Sequence, residues 1–550
     1  MPPVALFAPV LLPFAAAALT AACGLAGWKT GRVLIAVGVW AALAALLILW
    51  IPVRATQDVN VGPLGFGAEL DVRLDAVSFA FGLCVLVPAG ILFTLQPRTW
   101  QEATVAGLAV ASSMLAVESG GAVLTALAGG AAATLVVILL DVEDPRAPRP
   151  RWSVLLAAWL ALSWAGAILV VGNGTAIYSA VPVSSLTVPL FALLAASALL
   201  ASGLFPWRGW AASLWARPSL RAAGIAVAAL YPLGFYLLVR AYEMGDGRYP
   251  SGALNYALAA IGALVAFGAA ARAQGAATRR EYLSEIIPGL GGFALMAISL
   301  GTALGVAAGL ATLATIAVFA AALPLLPDRA GTPSLVVIAA AAGLPPGIAF
   351  GARAVGITAT FEAGDLVGLI GIAAIVAWVV SMTAAARSIG LPAGRGHPES
   401  ETSPRTAMGI ALLTVLTGPG LAVLLGTFAI PAQAVVMPTP PSLLSGGLLS
   451  VVTVSSLLPA LTLFGPLAVL GVLAFLAAGG VAVRSQARPH LFTLPGSARW
   501  SAFVQTLRAA AVPEQYRSLI NPAALEAAAT AGSPLLWLAA LVALSIAVTR

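Results

Sequence analysis

The chain has 550 residues, of which 61% are hydrophobic and only 9% charged. Soluble globular proteins carry about a quarter charged residues, so this composition excludes them and requires a bilayer, which takes about 20 apolar residues per spanning helix. The formal net charge of +7 does not mark a nucleic-acid binder, because the basic residues stand singly in short loops, where they act as topology signals.

Met1, Pro2 and Pro3 lead directly into an apolar run without a basic segment, so the first hydrophobic stretch is expected to remain as a helix. Hydrophobic windows then recur at 4–26, 32–52, 76–96, 103–117, 121–140, 152–172, 185–204, 220–239, 253–271, 284–300, 303–325, 334–351, 366–386, 407–428, 460–483 and 534–549. This pattern predicts an all-α polytopic membrane protein with about 14–16 transmembrane helices; 443–459 is apolar too and extends the start of the fifteenth span. With the N-terminus outside, Arg54, Arg73, Arg240, Arg248, Arg353 and Arg550 fall on the external side, and every other one of the 27 basic residues on the cytoplasmic side. That bias supports the order of spans and a bacterial-type inner (plasma) membrane location, with lipid as the immediate surroundings.

Two polar stretches interrupt the spans. Residues 53–75 alternate around Gly62-Pro63 and predict an external hairpin. Within 484–533, Trp500, Phe503, Leu507 and Ala510 share one helical face, so about 499–520 reads as an amphipathic helix at the cytoplasmic interface or as a solvent-side linker. Cys23 and Cys84 lie in apolar segments, and His397 and His490 stand alone in loops, so neither a disulfide framework nor a metal site is expected. Pro345-Pro346 breaks the twelfth span near mid-membrane, because proline has no N–H to donate. Backbone groups freed there must line an enclosed or hydrated cavity.

Several motifs, in order, resemble those of the antiporter-like membrane subunits of respiratory complex I, membrane-bound hydrogenases and Mrp-type cation/proton antiporters. Leu74-Asp75-Ala76-Val77-Ser78 resembles the Leu-Asp-x-Leu-Ser entry to the third span. Phe205-Pro206-Trp207-Arg208-Gly209-Trp210 resembles the Pro-x-His-x-Trp loop, with Arg208 at the histidine, and Pro218 follows at nearly the family spacing. Gly234 to Arg240 resembles the Gly-x-Tyr-x-Leu-x-Arg end of the eighth span. Arg279-Arg280-Glu281-Tyr282-Leu283 sits where the family has Lys-Arg-x-Leu-Ala, with Gly291 after it, and Gly343 to Phe350 resembles the Gly-Leu-Pro-Pro-x-x-Gly-Phe break.

The resemblance covers about residues 60–390 and implies two inverted five-helix repeats containing broken helices. The implied organisation is 1–102 for the first three helices, 103–240 for the first repeat, 253–388 for the second and 407–550 for the C-terminal helices, with breaks at Pro206, Pro345 and Pro346. It also implies other membrane subunits as partners, no cofactor held by this chain and no nucleic acid. The chain would then be a non-catalytic membrane subunit of an NADH/quinone oxidoreductase-like or hydrogenase-like complex.

Working members carry a line of titratable stations, because a proton path through low dielectric needs groups whose charges shift one another's pKa. Here the fifth-span glutamate position reads Gly130, the seventh-span lysine Ala201, and the eighth-span lysine Pro232 or Tyr231; only the twelfth-span position keeps a charge, as Arg353. Arginine stays protonated where lysine can be tuned, so Arg353 is expected to fix an anion, pair with Glu362 or Asp365, or lock the broken helix. Glu285, near the start of the tenth span, reads as an interfacial salt bridge or a station, and Asp75 as a helix cap or an ion-path residue. Glu118 is expected to be solvated in its turn, and Asp141, Glu143 and Asp144 to form a solvated or partner-binding face. The expected function is an antiporter-like subunit of a proton- or cation-translocating redox complex with a degenerate proton path. Two alternatives stay open: a stand-alone secondary transporter that binds an anion at Arg353, and a membrane partner of a soluble enzyme such as an inorganic-carbon uptake system.

Overall fold

Within a bilayer each backbone amide needs a partner inside the protein, so long apolar runs become helices. A computed structural model of the chain describes residues 3–437, apart from 29–30, 66–67, 97, 145–151, 205–208, 216, 218, 248–249, 327–330, 346, 393–402 and 419–423. The expected spans 460–483 and 534–549 and the amphipathic segment 499–520 therefore lie outside the described residues, as do Pro206 and Pro346.

Helices α1 (Ala8–Leu25) and α2 (Gly31–Trp50) precede the expected hairpin. Its strands, β1 (Gln57–Gly65) and β2 (Ala68–Leu74), pair antiparallel from Gln57↔Leu74 to Gly65↔Ala68, with irregular register around Pro63, whose missing N–H breaks the ladder. Asp75 caps α3 (Ala76–Leu95) by accepting from the Ser78 N–H, and Thr99 with Glu102 forms a capping box on α4 (Trp100–Val117). There follow α5 (Ala122–Glu143), α6 (Trp152–Asn173), α7 (Val188–Ala201), the short α8 (Gly209–Leu214), α9 (Arg221–Met244) and α10 (Gly252–Gly275). Among the described residues, nine helices are long and apolar enough to cross a membrane. The chain is a multi-pass, all-α membrane protein.

Three predicted spans are divided. The tenth becomes α11 (Arg279–Ser284) and α12 (Ile286–Ile298), which meet at Glu285. After α13 (Ala303–Ala322), the twelfth becomes α14 (Thr332–Ala342) and α15 (Ile348–Glu362), so its second half runs well past the predicted end at 351. Gly343 stops α14 in the left-handed region at φ 85°, where a side chain would be strained, and Pro345 lies in the break. Beyond α16 (Asp365–Ser388), the fourteenth splits into α17 (Pro404–Leu416), a π-helical turn and α18 (Ile430–Val436).

Helix α9 is the axis of the bundle: its apolar window is 100% buried, against 39% for α1, α10 and α16, which keep a face for lipid or a neighbouring subunit. Helices α10 and α12 pack backbone to backbone at Gly262 and Gly292, where a Cβ on Gly292 would lie 2.6 Å from the Gly262 carbonyl oxygen. Without a hydrophobic drive between helices in lipid, such close contact of small residues supplies the packing energy.

The Arg353 cavity and the candidate ion-path residues

The charged side chains gather at the two ends of the bundle. At the hairpin end, Arg240 of α9 grips Asp75 with both arms, Nη1 to Oδ2 at 2.7 Å and Nη2 to Oδ1 at 3.0 Å, and Nη2 also donates to the Ser78 Oγ at 2.9 Å. Glu243 accepts from Arg240 as well, and Arg73 adds ion contacts to Asp75 (3.1 Å) and Glu243 (2.8 Å). The Arg73 nitrogens concerned make no aligned hydrogen bond, so these two contacts act through charge proximity alone. Burial pushes the Asp75 carboxyl up, but Arg240, Arg73 and the Ser78 N–H together hold it below the usual range. Tyr236 and Tyr178 lie under the Arg240 guanidinium, 5.0 and 5.8 Å from it. Asp75 is thus both the expected cap and one half of a buried ion pair joining α3 to α9.

At the opposite end, arginines clamp backbone carbonyls. Arg217 donates to the Leu140 (2.6 Å) and Asp144 (3.0 Å) oxygens, Arg98 to the Arg221 oxygen (2.7 Å), and Arg280 to the Trp215 and Arg217 oxygens. A planar guanidinium can satisfy several orphan carbonyls at helix ends and chain turns, which a lysine ammonium does less well. Glu143 is not solvated as expected. Its side chain is 1% exposed and accepts from the Ser219 Oγ (2.6 Å) and the Ala222 N–H (3.0 Å), closing the first turn of α9.

Arg353 belongs to neither of these clusters. It projects from α15 into a cavity of about 30 Å³ lined by Tyr282, Glu285, Phe293, Ala342 and Ser381, among others. Its guanidinium lies 5.1 Å from the centre of the Phe293 ring and against Gly343, where a Cβ would collide with Nη1. Arg353 is 4% exposed, and its Nε and Nη1 have no hydrogen-bond partner. Arg353 forms no ion pair with Glu362 or with any other described side chain, and the Asp365 side chain lies outside the described residues. Glu285 reaches the same cavity from the α11–α12 junction, 4% exposed, with its carboxylate 3.0 Å from the Arg272 Nε of α10. The structure therefore brings Arg353 and Glu285 to one cavity beside the helix break, and leaves Asp75 in the hairpin-end cluster.

The other three positions that the resemblance assigns to stations carry no charge. Gly130 of α5 faces the Trp159 side chain, and Ala201, fully buried at the end of α7, accepts from the Trp210 Nε1 at 3.0 Å. Pro232 is buried inside α9. Beside it, Tyr231 lays its hydroxyl against Gly291 and donates to the Ile287 oxygen at 3.2 Å, so a phenol closes the gap between α9 and α12.

Glu118 reverses its expectation. It is 0% exposed, neither carboxylate oxygen has a hydrogen-bond partner, and burial pushes it well above the usual carboxylate range. The turn that carries it lies beneath the hairpin: the Arg73 N–H donates to the Glu118 oxygen and the Gly120 N–H to the Asp71 oxygen. A carboxylate in a short turn gives no sign in sequence that a distant strand will cover it.

No protein-family model and no curated protein matches the chain in sequence. Solved structures do match. A chain of the Mrp complex from Dietzia sp. DQ12-45-1b superposes with a TM-score of 0.70 at 20% identity, covering 99% of this chain and 63% of that one. This protein thus spans less than two thirds of that relative's length. A chain of the membrane-bound sulfane sulfur reductase, an archaeal respiratory membrane complex, matches with a TM-score of 0.64 at 18% identity, over 76% of each chain. A chain of respiratory complex I from Thermus thermophilus matches with a TM-score of 0.63 at 17% identity, over 80% of this chain and 98% of that one. The chain shares its fold with chains of these three membrane complexes, two of which, the Mrp complex and respiratory complex I, are among those whose subunits the motifs resemble.

Proposed function

We propose that this chain is an antiporter-like membrane subunit of a larger proton- or cation-translocating complex, and that its own proton path is degenerate. The observation that carries the reading is the emptied central axis. At the positions that the motif resemblance assigns to proton stations, the sequence reads Gly130, Ala201 and Pro232, and the fourth position is an arginine. A proton wire requires groups that gain and lose protons near neutrality, and a guanidinium does neither. The lipid- or subunit-facing sides of α1, α10 and α16 support lateral packing in an assembly. In this role the chain contributes scaffold and an incomplete half-channel at Arg353.

Proton flux into liposomes containing the purified chain tests the mechanism. The expected result is flux no greater than in empty liposomes, unchanged in Arg353→Ala and Glu285→Gln; substantial wild-type flux would end the degenerate-path reading. Mild detergent purification tests the assembly, with a multi-subunit complex expected. Recovery of a lone chain would instead favour a stand-alone transporter, for which the unpaired Arg353 is the supporting observation.

A further inference from the structure

We propose that the Arg353 cavity binds one small monovalent anion of about the size of chloride. The inference goes beyond the scaffold reading and holds whether or not the chain conducts protons. A buried, uncompensated guanidinium is strongly destabilised even after relaxation. Arg353 has two partial compensations: the Phe293 ring at 5.1 Å and the carbonyl end of α14 beside Gly343. Part of that carbonyl end is already taken, since the Trp378 Nε1 donates to the Ala342 oxygen at 3.0 Å. The Nε and Nη1 of Arg353 are left without acceptors, on the wall of a partly open cavity.

Charge and size select the occupant. On the cavity wall the Glu285 carboxylate is neutralised by Arg272 at 3.0 Å, which leaves the single positive charge of Arg353. One monovalent anion balances it; a divalent anion does not. The volume, about 30 Å³, has room for a monatomic anion and favours a small ion over a bulky one. Tyr282 supplies a second donor, because its buried hydroxyl makes no hydrogen bond among the described residues. Ser381 does not compete for the anion, as its hydroxyl donates to the Trp378 oxygen at 2.7 Å. Alanine walls at Ala270 and Ala341 keep the local dielectric low, which strengthens the ion contact.

The test compares unfolding of the purified full-length chain in chloride, bromide and gluconate at equal ionic strength. Chloride and bromide should stabilise it saturably, and gluconate, too large for the cavity, should not. At about 100 times the Kd the unfolding equilibrium shifts about 100-fold. Arg353→Met and Arg353→Gln should abolish the halide-specific shift, and Tyr282→Phe should weaken it. Should those variants fail to fold, a bromide-soaked structure of the wild-type protein decides, with anomalous density expected within hydrogen-bond reach of Nε or Nη1. Equal responses to halide and gluconate, or water alone in the cavity, would overturn the proposal. Neither readout is proton flux, so this inference and the proposed function fail separately.

Discussion

Replacing Asp75 with alanine removes a carboxylate that is 0% exposed and leaves Arg240, also 0% exposed, with only Glu243 to balance it. Neither group is screened by solvent, so the discount that applies to surface pairs does not apply here. Taking one partner from a buried ion pair costs about 3–5 kcal/mol, and about 1 kcal/mol of that is the lost cap on the Ser78 N–H. We expect Asp75→Ala to shift the unfolding equilibrium by about a thousandfold, corresponding to about 4 kcal/mol. The assay is equilibrium unfolding in mixed micelles, followed by tryptophan fluorescence. A double-mutant cycle with Arg240→Ala isolates the pair, and the double variant should lose about 2–3 kcal/mol less than the sum of the single losses. A loss below about 1 kcal/mol in Asp75→Ala, or strict additivity in the cycle, would overturn the assignment of a stabilising α3–α9 link.

Glu118, protonated in the folded protein and ionised in the unfolded one, should make stability fall as pH rises above the usual carboxylate range; unfolding midpoints across that range should decline in the wild type and flatten in Glu118→Gln. Gly343→Ala places a side chain at φ 85° and drives its Cβ into Arg353, so it should cost more than the roughly 1–2 kcal/mol of left-handed strain alone. Adding Arg353→Ala should recover only part of the loss, because the same Cβ would also lie 2.6 Å from the Trp378 Nε1, and full recovery would deny both that clash and the strain. Gly291→Ala collides with the Tyr231 hydroxyl and should lower the unfolding midpoint; Tyr231→Phe in the same chain should restore part of it, since the atom in the way is gone.

The helices were legible because a bilayer leaves the backbone so few choices. The hairpin at 53–75 and the break after Gly343 came from proline and glycine placed where a helix or ladder cannot continue. The contents of the break were partly legible: motif spacing pointed to Arg353, and the structure added Glu285 to the same cavity. Partners distant in sequence were not legible. Arg240 could be read as the end of a motif, but nothing local ties it to Asp75, and Glu143 carries no local sign that it will cap a helix from another part of the chain. Glu118 was misread because turns are polar and wet in most proteins. Here the turn is roofed by β2, so the same residue type meets the opposite environment.

The ion pair between α3 and α9 also constrains the order in which the protein is made. Asp75 and Arg240 are 165 residues apart, and at about 5–20 residues per second roughly 8–33 seconds of synthesis separate them. Throughout that interval the third span must stand at the membrane with a carboxylate at its head and no counter-charge from the eighth. The first helices of the bundle can be inserted early, but they cannot be finished until α9 arrives.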